Sequence, residues 1–215
     1  VVVITFLDRI YALVQEHALT NHYLYSKYIH LTMSINKIYG VYDHLLTSLG
    51  TAINLQNNLL GREHLAYIDL TLEQALVLIQ RGAGLEAMRY IDEAQQLLEK
   101  VFVDYEKSFE DENEDDSARV IRSLQSLDPS KAVAQFSRYQ HPIYAKLYFV
   151  KARLYHLLYR LNESLEYNAK SEAIYKQLFG EVYNGLVANF VLSAEVYIYK
   201  AEWKNAIEQC TAAIT

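Results

Sequence analysis

Apolar residues recur at helical spacing along most of the chain. Leu65, Ile68, Leu72, Ala75, Leu76 and Ile79 mark one face of a helix, and Gly82 and Gly84 supply a turn. Ala87, Ile91, Ala94, Leu97 and Leu98 then mark a helix returning beside the first. The same alternation runs from Leu186 through Tyr197, turns near Lys200-Ala201-Glu202 and returns from Trp203 to Ile214. Val1 to Leu19 predicts a leading helix, and its opening apolar run Val1 to Leu7 is interrupted by Asp8 and Arg9 and too short to span a bilayer. Only two prolines and seven glycines interrupt 215 residues, which favours helices throughout.

Small residues set a longer period. Ala75 is followed by Ala87 at +12 and Ala94 at +19, and Ala194 by Ala206 and Ala213 at the same offsets. Ala152 begins the same series with Ser164 and Ser171, and Met33 a weaker copy with Leu45 and Ala52. Gly61 and Gly180 each lie 14 residues before Ala75 and Ala194, and Gly40 sits where Gly82 does in the next copy. The register points 33, 75, 152 and 194 are thus separated by 42, 77 and 42, one period with a single insertion of 35. Small side chains at these places let two helices approach closely while larger apolar residues fill the space around them.

This skeleton, with an aromatic three residues after the first small position (Tyr155, Tyr197), resembles a tetratricopeptide repeat. Trp203 before Ala206 and Tyr42 before Leu45 occupy a second aromatic place. The 42-residue period, the Leu59-Leu60-Gly61 and Leu178-Phe179-Gly180 elements and the segment Ala52 to His64 are similar to the long repeats of kinesin light chains. The match covers residues 22–100 and 142–215. It implies an all-α, right-handed superhelix of about four helix pairs. The expected organisation is a single repeat domain over 1–215: a leading helix over 1–20, repeats over 21–60, 61–100, 142–179 and 180–215, and an insertion over 101–141.

Six acids in seven positions, Glu110, Asp111, Glu112, Glu114, Asp115 and Asp116, open that insertion and predict a solvated loop. Val120, Ile121, Leu124 and Leu127, then Asp128-Pro129 and residues 132–139, predict a helical hairpin beyond it. The acidic run accounts for the whole net charge of −6, because the remaining acids and bases balance. A chain without basic excess is a poor general binder of nucleic acid. The run is also a candidate autoinhibitory segment that competes for a basic face.

No metal or cofactor motif is present. None of the seven histidines has a partner at zinc-ligand spacing, and Gly82-Ala83-Gly84 lacks the preceding strand and following Lys of a phosphate loop. Cys210 occupies a packing position on the last helix, where a buried small hydrophobe is expected. A lone cysteine fits a reducing, cytoplasmic setting.

The resemblance places function on the inner face of the first helix of each pair, where an extended peptide lies in such arrays. Counting from the register points assigns Lys27, His30, Ser34 and Lys37 to that face, followed by Asp69, Leu72, Leu76 and Ile79. Lys146, Phe149, Arg153 and His156 come from the third copy, and Val191, Glu195, Ile198 and Tyr199 from the fourth. Such a face suits another protein or peptide carrying acidic residues beside a hydrophobic anchor, without catalysis. A regulatory arm of a larger signalling protein, or the helical lobe of an enzyme, are the other classes compatible with it. Residues 186–214 end the array with an apolar helix pair, an expected site for further repeats or self-association.

Overall fold

The computed structural model describes residues 9, 10, 12, 13, 16, 23–112 and 141–214. Regular structure among the described residues is helical: α1 (Tyr23–Tyr39), α2 (Tyr42–Leu60), α3 (Leu65–Gln80), α4 (Gly84–Glu112), α5 (Pro142–Leu157), α6 (Leu161–Phe179), α7 (Val187–Tyr199) and α8 (Trp203–Ile214). One 3-10 turn, Asn184–Leu186, precedes α7. The eight helices pack in sequential pairs, as expected from the alternation of apolar runs and breakers. The expected leading helix and inserted hairpin fall almost wholly outside the described residues. The chain divides into two compact units, Val1–Tyr90 and Ile91–Thr215.

The turn inside each pair is the same structure four times. Gly40, Gly82, Tyr159 and Ala201 each lie seven residues after a register point, and all four are left-handed, with φ of 66°, 83°, 57° and 58°. The next amide reaches back five residues in every case: Val41 N to Asn36 O at 3.0 Å, Ala83 N to Leu78 O at 2.8 Å, Arg160 N to Tyr155 O at 2.9 Å and Glu202 N to Tyr197 O at 2.9 Å. This closes the helix end by satisfying a carbonyl that has no partner within its own helix. Between pairs, Gly61 and Gly180 recur with matching backbone, φ 83° and ψ 168° against φ 85° and ψ 175°.

Histidine starts two of the first helices. His64 Nδ1 accepts from Ala66 N at 3.1 Å, and His141 Nδ1 accepts from Ile143 N at 3.2 Å. Both stand eleven residues before a register point, and Pro142 follows His141 at the first helical position, where no amide is needed.

In the first unit, Leu45, Leu49, Ala52 and Leu55 turn one face of α2 onto Ile29, Leu70 and Val77. Met33, at a place that is Ala in later copies, packs half-buried against this cluster. In the second unit, Ala152, Leu192 and Val196 are buried together, with Phe149, Leu161, Leu165 and Tyr167 against them. Of the small positions, Ala75, Ala87, Ala94, Ala152, Ser164 and Ser171 are fully buried, Ala194 and Ala206 are buried, and Ala213 is half-buried. Ser164 keeps its hydroxyl satisfied by donating to Ala152 O at 2.9 Å, which ties α6 to α5. Enlarging Ala152 would force these helices apart, at a cost of about 1–3 kcal/mol.

α4 departs from expectation. It does not end near residue 100 but runs on to Glu112, so Glu110, Asp111 and Glu112 are helical rather than part of a loop. Just past residue 100, the Phe102 ring meets those of His141 and Tyr144 at 5.5 and 5.4 Å. The rest of the acidic run lies outside the described residues.

Candidate partner-binding site

Four of the residues assigned by spacing come together between α5 and α7. Arg153 Nη1 donates to Glu195 Oε2 at 2.7 Å, and His156 Nδ1 lies 3.9 Å from the same oxygen. The Tyr199 ring stands edge-on to His156 at 5.2 Å and to Tyr159 at 5.8 Å. Arg153 and Glu195 each follow a register point by one residue, so the ion pair joins equivalent places on successive first helices. Both are partly exposed, and such a pair contributes at most about 1 kcal/mol.

Burial lowers the pKa of His156 below its usual range, against the opposite pull of Glu195. The ring is neutral at pH 7, so its proximity to Glu195 is not an ion pair there. Its Nε2 is buried without a hydrogen-bond partner. Tyr159 and Tyr199 leave most of their ring surface in solvent, which gives the cluster an apolar shoulder beside its charges.

Other assignments need correction. Leu72 and Ile79 are core residues, 0% and 5% exposed, and cannot line a groove. Phe149 is half-buried against Leu192 and Val196 of α7 rather than open to a ligand. Leu72 and Phe149 stand three residues before a register point, and in the second unit this place faces the next first helix. Leu76, Asp69 and Lys146 are half-buried, while Ser34 and Val191 are exposed. Lys37 is exposed but pairs with Glu73 of α3 at 3.5 Å. The cations at Lys37 and Arg153 are thus each matched by a carboxylate on a neighbouring first helix, and the face is less basic than spacing alone predicts. Lys27 and His30 lie on α1, but their side chains are outside the described residues. Cys210, expected to be buried, is exposed on α8.

Tyr159 was not among the residues assigned by spacing, although it fills a place that is glycine in two other copies. The buried pair Asn168 and Asn189 was missed too, since polar residues inside a predicted apolar face carry no sign of their partner. No group of three or more His, Cys, Asp or Glu side chains able to hold a metal occurs among the described residues. Among them, no helix is long and apolar enough to cross a membrane.

No protein-family model and no curated protein matches the sequence. Solved structures do match the fold. BtubC (BKLC) from P. vanneervenii superposes with a TM-score of 0.54 at 16% identity over 88% of this chain. This chain spans 62% of the length of BtubC. A putative kinesin light chain of Podosopora anserina with nearly identical TPR-like repeats superposes at 0.52 and 17% identity, covering 96% of this chain and 81% of its own. Together with the four-fold recurrence of the left-handed turn, these matches establish that the chain has the all-α fold of TPR-like repeat proteins.

Proposed function

We propose that the chain is a protein-interaction scaffold that binds a partner segment at the Arg153–His156–Glu195–Tyr199 cluster and acts by equilibrium binding rather than catalysis. The observation that carries this reading is the half-exposed Arg153–Glu195 pair beside the exposed rings of Tyr159 and Tyr199. The partner segment offers a carboxylate that replaces Glu195 on Arg153, and an apolar or aromatic side chain that covers the two tyrosines. Most of the affinity then comes from the aromatic anchor, and the exchanged charge fixes register and specificity.

A peptide array comparing acidic-plus-aromatic segments with charge-scrambled controls tests it. Selective retention of the former is expected. Equal retention of both sets rejects the charge exchange.

A further inference from the structure

His156 holds a register place that is Lys37, Ile79 and Ile198 in the other copies. The α5–α7 seam thus carries a titratable ring where two other copies have isoleucine. Its Nδ1 and the Arg153 guanidinium converge on one oxygen, Glu195 Oε2, at 3.9 and 2.7 Å. The other ring nitrogen, Nε2, is buried without a hydrogen-bond partner. Glu195 is therefore the acceptor toward which a second ring proton, on Nδ1, would point.

Two charges act on the ring, Glu195 across the seam on α7 and Arg153 on its own helix. Tyr199 of α7 is a further titratable group in contact with it. The neighbouring elements engage their acids elsewhere. Glu163 of α6 holds Arg160 at 2.7 Å, Asp92 and Glu99 of α4 act on Lys151, and Glu202 before α8 holds Lys200 at 3.0 Å. While His156 is neutral, Arg153 and Glu195 cancel. Once it is charged, two cations face one carboxylate and compete for the same oxygen, which leaves the cluster with a surplus positive charge.

We propose that protonation of His156 turns the Arg153–Glu195 cluster from a neutral into a cationic face and so tightens its hold on an acidic partner segment. This rests on the partner-binding role given above and adds its regulation by pH. The coupling runs both ways: a carboxylate bound at Arg153 raises the pKa of His156, which burial lowers in the free protein. Affinity therefore rises as pH falls through the His156 range. The carboxylates of the partner titrate lower, near pH ~4, and stay ionised meanwhile.

Calorimetric titration of a capped peptide carrying one glutamate and one phenylalanine, at about pH 7.5 and about pH 5.5, is the test. Binding at least ~3-fold tighter at the lower pH is expected, since a one-unit pKa rise is worth up to tenfold. His156→Gln, polar but not titratable, should bind equally at both. Nuclear magnetic resonance titration of the wild-type His156 ring reads the same coupling without a variant, and its pKa should rise when peptide is present. Equal binding at both pH values, with a His156 titration that the peptide does not move, overturns the switch and leaves the binding site standing. A pH dependence that persists undiminished in His156→Gln overturns it too. No binding at either pH removes the site itself, and the switch with it.

Discussion

Asn168 and Asn189 exchange hydrogen bonds inside the protein, with Asn189 Nδ2 donating to Asn168 Oδ1 at 2.9 Å and Asn168 Nδ2 donating to Asn189 O at 2.8 Å. Asn168 Nδ2 also reaches Ser193 Oγ at 2.8 Å. Both asparagines are 1% exposed. The equivalent register places in the first unit are Leu49 and Leu70, packed in one apolar cluster. The α6–α7 seam therefore uses a polar bond where the α2–α3 seam uses leucines.

That substitution of chemistry predicts strong coupling. Asn168→Leu or Asn189→Leu alone leaves a buried amide unsatisfied and should cost about 1–3 kcal/mol. The double variant removes both polar groups and restores the leucine pair, so it should recover most of the loss. Urea unfolding of the four proteins measures the coupling, and additive losses would show that the two amides act independently.

The left-handed turn predicts a second effect. Ala201 holds φ 58°, a conformation that costs an L-residue about 1–2 kcal/mol, while Gly82 holds its counterpart freely. Ala201→Gly should stabilise the protein by about 0.5–1 kcal/mol, after the entropy of the freer unfolded chain is subtracted. Gly82→Ala should destabilise by a similar amount, since open space around Gly82 leaves backbone strain as the only cost. Thermal denaturation of both variants gives the two signs.

The histidine cap makes stability depend on pH. His141 caps α5 through a ring nitrogen that must be unprotonated to accept, and burial lowers its pKa below the ordinary 6.5. Between the folded and unfolded values the unfolded chain binds more protons, so stability falls as pH falls. The contribution is complete above the unfolded value and is lost as pH drops through the folded one. His156, lowered by burial as well, adds a slope of the same sign. His141→Asn keeps a capping acceptor without titrating. Its denaturant midpoint should fall less steeply than that of the wild type below a pH of about 6.5. Equal slopes would remove His141 from the account of acid sensitivity.

The helix pairs were legible because small residues recur every 42 positions and because turns need left-handed backbone. Trp203 and Ile214 were placed as the ends of a helix from these signals alone, and α8 has those bounds. The length of α4 was not legible. Past residue 100 the helix carries Phe102, whose ring meets His141 and Tyr144 some 40 residues away in sequence, a contact that periodicity within one helix does not reveal. In the candidate site, counting put Arg153, His156, Glu195 and Tyr199 on one side of their helices. It could not separate that side from the adjoining one that meets the next helix, where Leu72 and Phe149 belong. Nor could it show that Arg153 and Glu195 touch, because ion pairing depends on the axial offset of two helices, which periodicity within each helix leaves undefined.

The Arg153–Glu195 exchange has opposite consequences for its two members. Removing the carboxylate with Glu195→Gln frees Arg153 for the partner, whereas Arg153→Gln removes the group that the partner must reach. Calorimetric titration of one acidic-plus-aromatic peptide into the wild type and both variants is the most direct measurement. Binding that tightens several-fold in Glu195→Gln and weakens at least ~10-fold in Arg153→Gln is the expected result, consistent with a charge-assisted bond of about 1.5–3 kcal/mol. Equal affinity in all three proteins would contradict a binding site at this cluster.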